Sequence, residues 1–566
     1  MGMDETHFDA IIVGSGFGGA VTAYRLAEAG LRVCVLERGK PYPPGSFPRS
    51  PRAMRTNFWD PSAGMHGVYN LWSFGGFDAV ISSGLGGGSL IYANVSIRKD
   101  EKWFVQEDLQ HGGYEYWPVT RADLDPHYDR AEKMLNVQPY PLDHAPYNAT
   151  PKTLALKNAA ERLGLEWTLP NLAVTFSNPN RAPALGEWIN EEHANLHGLP
   201  RATCRLCGEC NIGCNFGSKN SLDYNYLSEA MRLGADVRTR CEVRSFEPRD
   251  GGGYTVRYVN HDPATEGHKT ATRELPLQTL SADHLVLSAG TLGSTFLLLK
   301  NRAAFPHLSD QLGTRFSGNG DLLTLAIQSQ VDDNGEKKPA VLDPGYGPAI
   351  TSAVHVKDAL DGGQGRGHYV EDAGYPDMIN WIVEMVDVGG SLKRLALFAW
   401  ARLKQGIGGP FRSDLSGEIA RLLGPATLSS SSLPLLGMGR DIPDGRFSLR
   451  DNLLDIDWTT RRSNEYFANI MRTMRDLTGA MNASFAPNPT WLLNRVATVH
   501  PLGGCPMGRN EQEGVVDAYG EVFNYPGLHI ADGSVMPGPV GPNPSLTIAA
   551  LADRFADHLL ERRRAR

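Results

Sequence analysis

The sequence predicts an α/β fold: a parallel sheet with crossover helices, joined to a second lobe of mixed helix and strand. Three observations carry that reading. The first forty residues run strand, glycine-rich turn, helix, strand; a second strand-into-helix unit recurs between residues 283 and 300; and 566 residues are too many for one hydrophobic core.

The opening unit is the most informative. Asp9-Ala-Ile-Ile-Val13 has the length and composition of a buried parallel strand and runs into Gly14-Ser15-Gly16-Phe17-Gly18-Gly19, a G-x-G-x-x-G match. Ala20 to Ala29 has helical periodicity and stops at Gly30; Arg32-Val-Cys-Val-Leu36 is a second strand ending on Glu37. This is the context of a Rossmann-like dinucleotide site. Gly14 permits the tight turn, Gly16 lets backbone approach a pyrophosphate, and Gly19 lets the helix pack close to the strand. The helix N-terminus offers free N–H groups and a positive dipole end to phosphates. Glu37, twenty-three positions after Gly14, is placed to accept from a ribose diol and would repel a 2′-phosphate, which argues against NADP. A glycine-rich turn that binds nothing is the bland alternative, and the flanking strand, helix and acid count against it. FAD and NAD both stay open on these residues.

Composition is that of a soluble globular enzyme: 41% hydrophobic and 21% charged, with 62 glycines and 37 prolines pointing to many turns rather than a helical bundle. A net charge of −8 gives no encouragement to nucleic-acid binding. The N-terminus lacks the basic and apolar regions of a secretory signal, and no apolar run is long enough to span a bilayer, so a cytoplasmic protein is expected. Seven cysteines, four of them crowded, fit a metal or redox site better than a disulfide framework.

Residues 41–80, rich in proline, glycine and aromatics, read as irregular structure covering the nucleotide site. In Gly84-Leu-Gly-Gly-Gly-Ser-Leu-Ile-Tyr-Ala-Asn94, three consecutive glycines imply a backbone that something bulky approaches closely. Arg121 to Asn136 and Pro151 to Leu163 read as amphipathic helices of the second lobe. Cys204-Arg-Leu-Cys207-Gly-Glu-Cys210-Asn-Ile-Gly-Cys214 has the C-x2-C-x2-C-x3-C spacing of a bacterial-type iron–sulfur ligand run, without the proline that normally follows. A zinc knot, a disulfide pair and free thiols stand as alternatives.

Ser221 to Leu233 reads as a helix and Ala235 to Phe246 as a strand, followed by a hairpin turn at Asp250-Gly-Gly-Gly253. Asp283 to Ser288 is a buried strand feeding the helix from Ser294 to Lys300, a second crossover of the same sheet. Leu322 to Val331 and Phe447 to Trp458 read as strands flanking a long insert. Within it, Met378 to Val386 and the basic Ser391 to Lys404 are amphipathic, either a lid touching lipid surfaces or core-facing helices. Near the C-terminus, His500 sits in His500-Pro-Leu-Gly-Gly-Cys505, Asp532 and Gly533 end a strand, and Asn543-Pro544 opens a helix. Such a glycine-rich setting beside a helix start suits a reactive histidine.

Taken in order, these motifs resemble the glucose–methanol–choline (GMC) flavin oxidoreductases over nearly the whole chain, closest to the bacterial cholesterol oxidase branch. There the histidine of H-P-L-G-G-C is paired with an asparagine followed by proline. The resemblance implies an FAD-binding domain over 1–45, 80–97, 220–320 and 514–566. An interleaved α+β substrate domain on an antiparallel sheet would occupy 46–79, 98–219 and 321–513. It implies FAD in an extended pose: Gly14, Gly16 and Gly19 at the diphosphate, Glu37 at the adenosine ribose and Val243 at the adenine. Gly87, Gly88, Ser89 and Asn94 would lie along the isoalloxazine, Asp532 and Gly533 would hold the ribityl–pyrophosphate, and the helix at Asn543 would face the flavin N1–C2 edge, where a helix N-terminus stabilises negative charge.

The implied chemistry is oxidation of an alcohol, hydrophobic or sterol-like, with the hydroxyl held by His500 and Asn543 as hydride leaves for flavin N5. Cholesterol oxidases add a glutamate base; Glu371 is the candidate, against the plainer reading of a surface acid beside a turn. The acceptor is O2 or an external molecule. The cysteine run departs from the secreted cholesterol oxidases and resembles iron–sulfur-bearing sugar dehydrogenase subunits. This implies, as the alternative, a sugar, glycoside or polyol enzyme passing electrons through Cys204, Cys207, Cys210 and Cys214 to an external acceptor.

Overall fold

The computed structural model describes residues 6–376 and 427–564. Two sheets organise it. In the first, strands Asp236–Arg238, Val33–Leu36, His7–Val13, Gln278–Leu287 and Leu528–Ile530 lie side by side, all parallel. The antiparallel hairpin Cys241–Pro248/Tyr254–Asn260 pairs along the other half of the long Gln278–Leu287 strand. Crossover helices Phe17–Glu28 and Gly290–Asn301 follow the two strands that the sequence marks as apolar runs. Ile11, Ile12, Leu285 and Leu287 are fully buried, as a sheet covered on both faces requires.

Two glycines set how closely this lobe closes. A Cβ on Gly19 would stand 2.1 Å from the Gly14 carbonyl oxygen, and one on Gly18 only 1.4 Å from that of Ala531. The first helix therefore presses against both its own strand and the end of the C-terminal strand, bringing Asp532 beside the glycine-rich turn.

The second sheet is wholly antiparallel, in the order Glu166–Thr168, Ala353–Val356, His368–Asp372, Leu433–Gly439, Leu322–Ile327, Ser484–Pro487. Helices Pro151–Leu163 and Asn464–Ala480 pack together and against it, burying Leu156, Ile470, Met474 and Leu477 among Val354, Val370 and Leu435.

Several local expectations change. Residues 69–82 are not irregular: Tyr69–Ser73 and Phe77–Ser82 pair as a hairpin around Gly75-Gly76, with Phe77–Ala79 extended by the parallel strand Val496–Thr498. Phe447 to Trp458 is not one strand but a hairpin, Arg446–Arg450 with Leu453–Asp457. Asp451 and Asn452 both take positive φ (53° and 61°) at its turn, where short polar side chains tolerate that conformation. The helix expected from Ser221 is Tyr226–Arg232 only. The strand expected from Ala235 breaks into Asp236–Arg238 and Cys241–Pro248 about Arg240, whose φ is +59°. The amphipathic segments Met378 to Val386 and Ser391 to Lys404 lie outside the described residues. Among the described residues no helix is long and apolar enough to cross a membrane.

Candidate active site and cofactor cavity

A cavity of about 970 Å³ lies between the two sheets. Gly14, Gly16, Glu37, Gly87, Gly88, Val243, Asp532, Gly533, His500 and Asn543 all contribute to its wall, so residues drawn from across the sequence meet in one space. The cavity is at the upper end of the volumes typical of small-molecule sites.

One part of the wall is built for a nucleotide. The helix Phe17–Glu28 begins at Gly16 with no side-chain cap, leaving its first N–H groups free, and a Cβ on Gly16 or Gly88 would meet nothing within 4 Å. Glu37 Oε1 accepts from Gly39 N–H at 2.7 Å and Oε2 from Ser15 N–H and Oγ–H at 3.0 and 2.6 Å, which fixes the carboxylate at the wall. Beside it lies Arg38, a residue the sequence reading passed over; burial pushes its guanidinium below the ordinary value. Asp532 accepts from Ser294 Oγ–H at 2.5 Å and from Ser534 N–H and Oγ–H at 2.9 and 2.6 Å. Burial raises its pKa above the usual carboxylate range. These groups fit an extended dinucleotide: an uncapped helix terminus, open glycine faces and an acid held ready for a diol.

Three expected contacts fall elsewhere. Gly19 is a packing residue with no share of the wall. Ser89 is fully buried, its Oγ donating to Gly86 O at 2.7 Å and accepting from Leu222 N–H at 3.1 Å. Asn94, at φ +72°, points away from the cavity that its neighbours Ala93 and Val95 line.

The part of the wall around His500 is equally specific. His500 follows the strand Val496–Thr498, and its Nδ1 lies 2.8 Å from Asp321 Oδ1. Asp321 Oδ2 accepts from Thr498 Oγ–H at 2.9 Å and from the N–H groups of Val499 and His500 at 2.8 and 3.2 Å. That geometry assigns the Nδ1–H tautomer and leaves Nε2 with its lone pair. Asp321 was not among the site residues read from sequence: its partner is 179 residues away.

Asn543 precedes the helix Ser545–Arg564 and is 6% exposed, its Oδ1 without a hydrogen-bond partner among the described residues. Its Nδ2 is 3.5 Å from Glu371 Oε2, a long contact. Glu371 is no surface acid: it sits fully buried on a strand of the antiparallel sheet, in register with Ala353 and Leu436. It stands behind Asn543 rather than on the wall. Burial pushes its carboxyl up to about 8, so it holds its proton at neutral pH. Leu323, Ile350, Pro434, Leu436 and Val499 are among the apolar wall residues, Val499 next to His500 and Leu436 in register with Glu371.

Comparison with known proteins now decides the family. The family models for GMC oxidoreductases match residues 196–316 and 444–552, and that for FAD-dependent oxidoreductases matches 9–171. A cholesterol oxidase from Mycobacterium tuberculosis is 30% identical over 97% of this chain and 90% of its own. The chain belongs to the GMC oxidoreductases. A cholesterol oxidase from Acinetobacter baumannii is 27% identical over 99% of this chain and 95% of its own. A 2-methyl-1,2-propanediol dehydrogenase from Mycolicibacterium austroafricanum is 23% identical over 99% and 96%. The crystal structure of a pyridoxine 4-oxidase from Mesorbium loti shares the fold with a TM-score of 0.56 at 16% identity, covering 98% of this chain and 99% of that one. This GMC oxidoreductase is therefore an FAD-dependent enzyme acting on alcohols, of the cholesterol oxidase branch.

The cysteine run also borders the cavity. Asn211 and Ile212, inside it, are wall residues. All four cysteines are free thiols. Burial pushes Cys207 up to about 12 and raises Cys204 and Cys210.

Proposed function

We propose that this enzyme oxidises a hydrophobic, sterol-like secondary alcohol. The observation that carries this is the apolar share of the wall: Leu323, Ile350, Pro434, Leu436 and Val499 line the same cavity as His500 and Asn543, with Val499 next to His500 and Leu436 in register with Glu371. An apolar wall with two convergent polar groups favours a bulky apolar substrate with one hydroxyl. The two relatives named cholesterol oxidase point the same way.

FAD, when bound, supplies the acceptor for the hydride that leaves the carbinol carbon. His500 Nε2 accepts the substrate hydroxyl proton, and the Nδ1–H bond to Asp321 stabilises the imidazolium that results. With the Asn543 amide turned so that protonated Glu371 donates to its Oδ1, its Nδ2–H donates to the hydroxyl oxygen and orients it. The alcohol loses a proton and a hydride, and a carbonyl remains. Gly14, Gly16, Glu37, Gly87, Gly88, Val243, Asp532 and Gly533, all on the cavity wall, would hold the cofactor, in a domain that would interleave with the substrate lobe at the boundaries given above. Anaerobic bleaching of the flavin by sterols but not by glycosides or polyols is the expected result; the reverse overturns the substrate class.

A second reading is favoured by the cysteines on the cavity border. In it the enzyme is a dehydrogenase, acting on a sterol or on a sugar, glycoside or polyol, that passes electrons through an iron–sulfur cluster to an external acceptor rather than to O2. Oxygen uptake measured beside dye reduction separates the two.

A further inference from the structure

Each of the four thiols Cys204, Cys207, Cys210 and Cys214 interacts electrostatically with the other three, so they form one nest. Yet among the described residues no three of their sulfurs lie within 4.8 Å of one another. A single tetrahedral zinc, with Zn–S bonds of about 2.3 Å, would draw its sulfurs to roughly 3.8 Å apart. The nest is too open for that, and the thiols are not joined as disulfides. Wider spacing suits a polynuclear cluster, in which each sulfur takes a separate iron.

The loop and its surroundings carry the partners that such thiolates need. Leu206 and Gly208 take positive φ (59° and 65°), which curls the chain around the nest. Leu206 N–H points at Cys204 Sγ at 3.4 Å, and Ala349 N–H at Cys210 Sγ at 3.5 Å. Glu209 N–H serves Cys207 in the same way.

Two side chains stand out at Cys210. Asn94 is fully buried, and both polar atoms of its carboxamide lack a hydrogen-bond partner among the described residues. It stands two residues from Tyr92, whose carbonyl shares the Lys219 amine with that of Cys210, and so lies beside Cys210. A buried, unpaired carboxamide is costly unless something completes it. Lys219, 2% exposed, donates to Cys210 O at 3.0 Å and to Tyr92 O at 2.7 Å, placing a cation beside the nest. Tyr92 is itself a cavity-wall residue, its ring 5.3 Å from that of Phe17. The nest thus adjoins the FAD cavity through Asn211, Ile212 and Tyr92.

We propose that Cys204, Cys207, Cys210 and Cys214 hold an iron–sulfur cluster beside the FAD cavity, and that the Asn94 carboxamide and the Lys219 amine, meeting at Cys210, raise its reduction potential. This rests on the second reading above and adds the residues that tune the site. The cluster would supply one-electron chemistry there. N–H···S bonds and a nearby cation both favour the more negative, reduced form.

The test uses full-length holoprotein purified without oxygen. Iron and acid-labile sulfide in several-fold excess over protein, with an electron paramagnetic resonance signal on dithionite reduction, are expected. Absence of iron, or zinc in its place, overturns the site and the second reading together. Asn94→Gly, compatible with the positive φ at that position, is then titrated against redox dyes. A lowered midpoint potential with iron content retained is expected. An unchanged midpoint overturns the role of Asn94 while leaving the cluster and the second reading intact. Asn94→Asp, which also tolerates positive φ and replaces a donor by an anion, should lower the midpoint as well, and serves if the glycine variant does not fold.

Discussion

Asp321 Oδ1 lies 2.8 Å from His500 Nδ1 while Oδ2 of the same carboxylate holds the peptide N–H groups of Val499 and His500. One side chain thus fixes the ring and the backbone that carries it, across 179 residues of sequence. Asp321→Asn keeps the shape but can turn an N–H toward Nδ1, favouring the tautomer in which Nε2 is a donor. The expected outcome is a fall in kcat of about 10²–10⁴-fold, the usual contribution of a general base, with flavin content unchanged. Steady-state turnover with an artificial acceptor reads it, and wild-type kcat in the variant would remove Nε2 as proton acceptor.

Glu371 makes stability depend on pH. An unfolded glutamate ionises near about pH 4.3, whereas burial holds the folded one up to about 8. Between those values the folded protein binds the extra proton, so stability falls as pH rises through that window and levels off above it. Glu371→Gln removes the slope. Its Tm relative to wild type should climb from pH 5 to pH 8, and a difference that is flat with pH would show that the carboxyl ionises normally.

What the sequence disclosed and what it hid follow one physical line. The glycine turn, the buried strand segments Asp9 to Val13 and Asp283 to Leu287 and the helix at Pro151 were legible, because each depends on a local apolar run, a period or a turn residue. That His500 and Asn543 line one cavity was signalled by their glycine and proline settings. Asp321 and Asn319 were not: their work is done by contacts 179 and 222 residues away. The burial of Glu371 was hidden for the same reason, since a sheet whose strands come from six distant segments leaves no local trace at one acid. Asn94 reads as a cofactor contact through the family resemblance; with φ at +72° it leaves the cavity wall to Ala93 and Val95.

Two glycines of the first turn should fail differently. A Cβ on Gly18 would stand 1.4 Å from Ala531 O, whereas one on Gly16 enters open space. Gly18→Ala should lower stability by about 1–3 kcal/mol or more, as overpacking does, through the join between the first helix and the C-terminal strand. Gly16→Ala should leave the melting temperature of the flavin-free protein near wild type and lower bound flavin per chain. Absorbance at the flavin band and thermal melts separate them; equal behaviour of the two variants would show that Gly16 does not face the cofactor.

The stretch Ser317 to Asp321 seats both His500 and the turn before Asn543. While Asp321 holds His500, Asn319 holds the turn before Asn543: its Oδ1 accepts from Gly541 N–H at 2.9 Å, and its Nδ2 donates to Pro542 O at 3.1 Å. Lys99 secures the same loop from the far side, donating to Pro539 O at 2.8 Å and Val540 O at 2.9 Å. The distance between imidazole and carboxamide is therefore set by five residues of backbone rather than by the flavin or the substrate. Asn319→Asp keeps the acceptor for Gly541 but faces the Pro542 carbonyl with an anion, costing about 1–3 kcal/mol at a buried site. Because the fault falls on the position of Asn543, kcat should drop at least tenfold with KM and flavin content little changed. Asn319→Ser, which removes the repulsion, should recover part of the loss, whereas a pure loss of stability would leave kcat per flavin-bound molecule as in wild type.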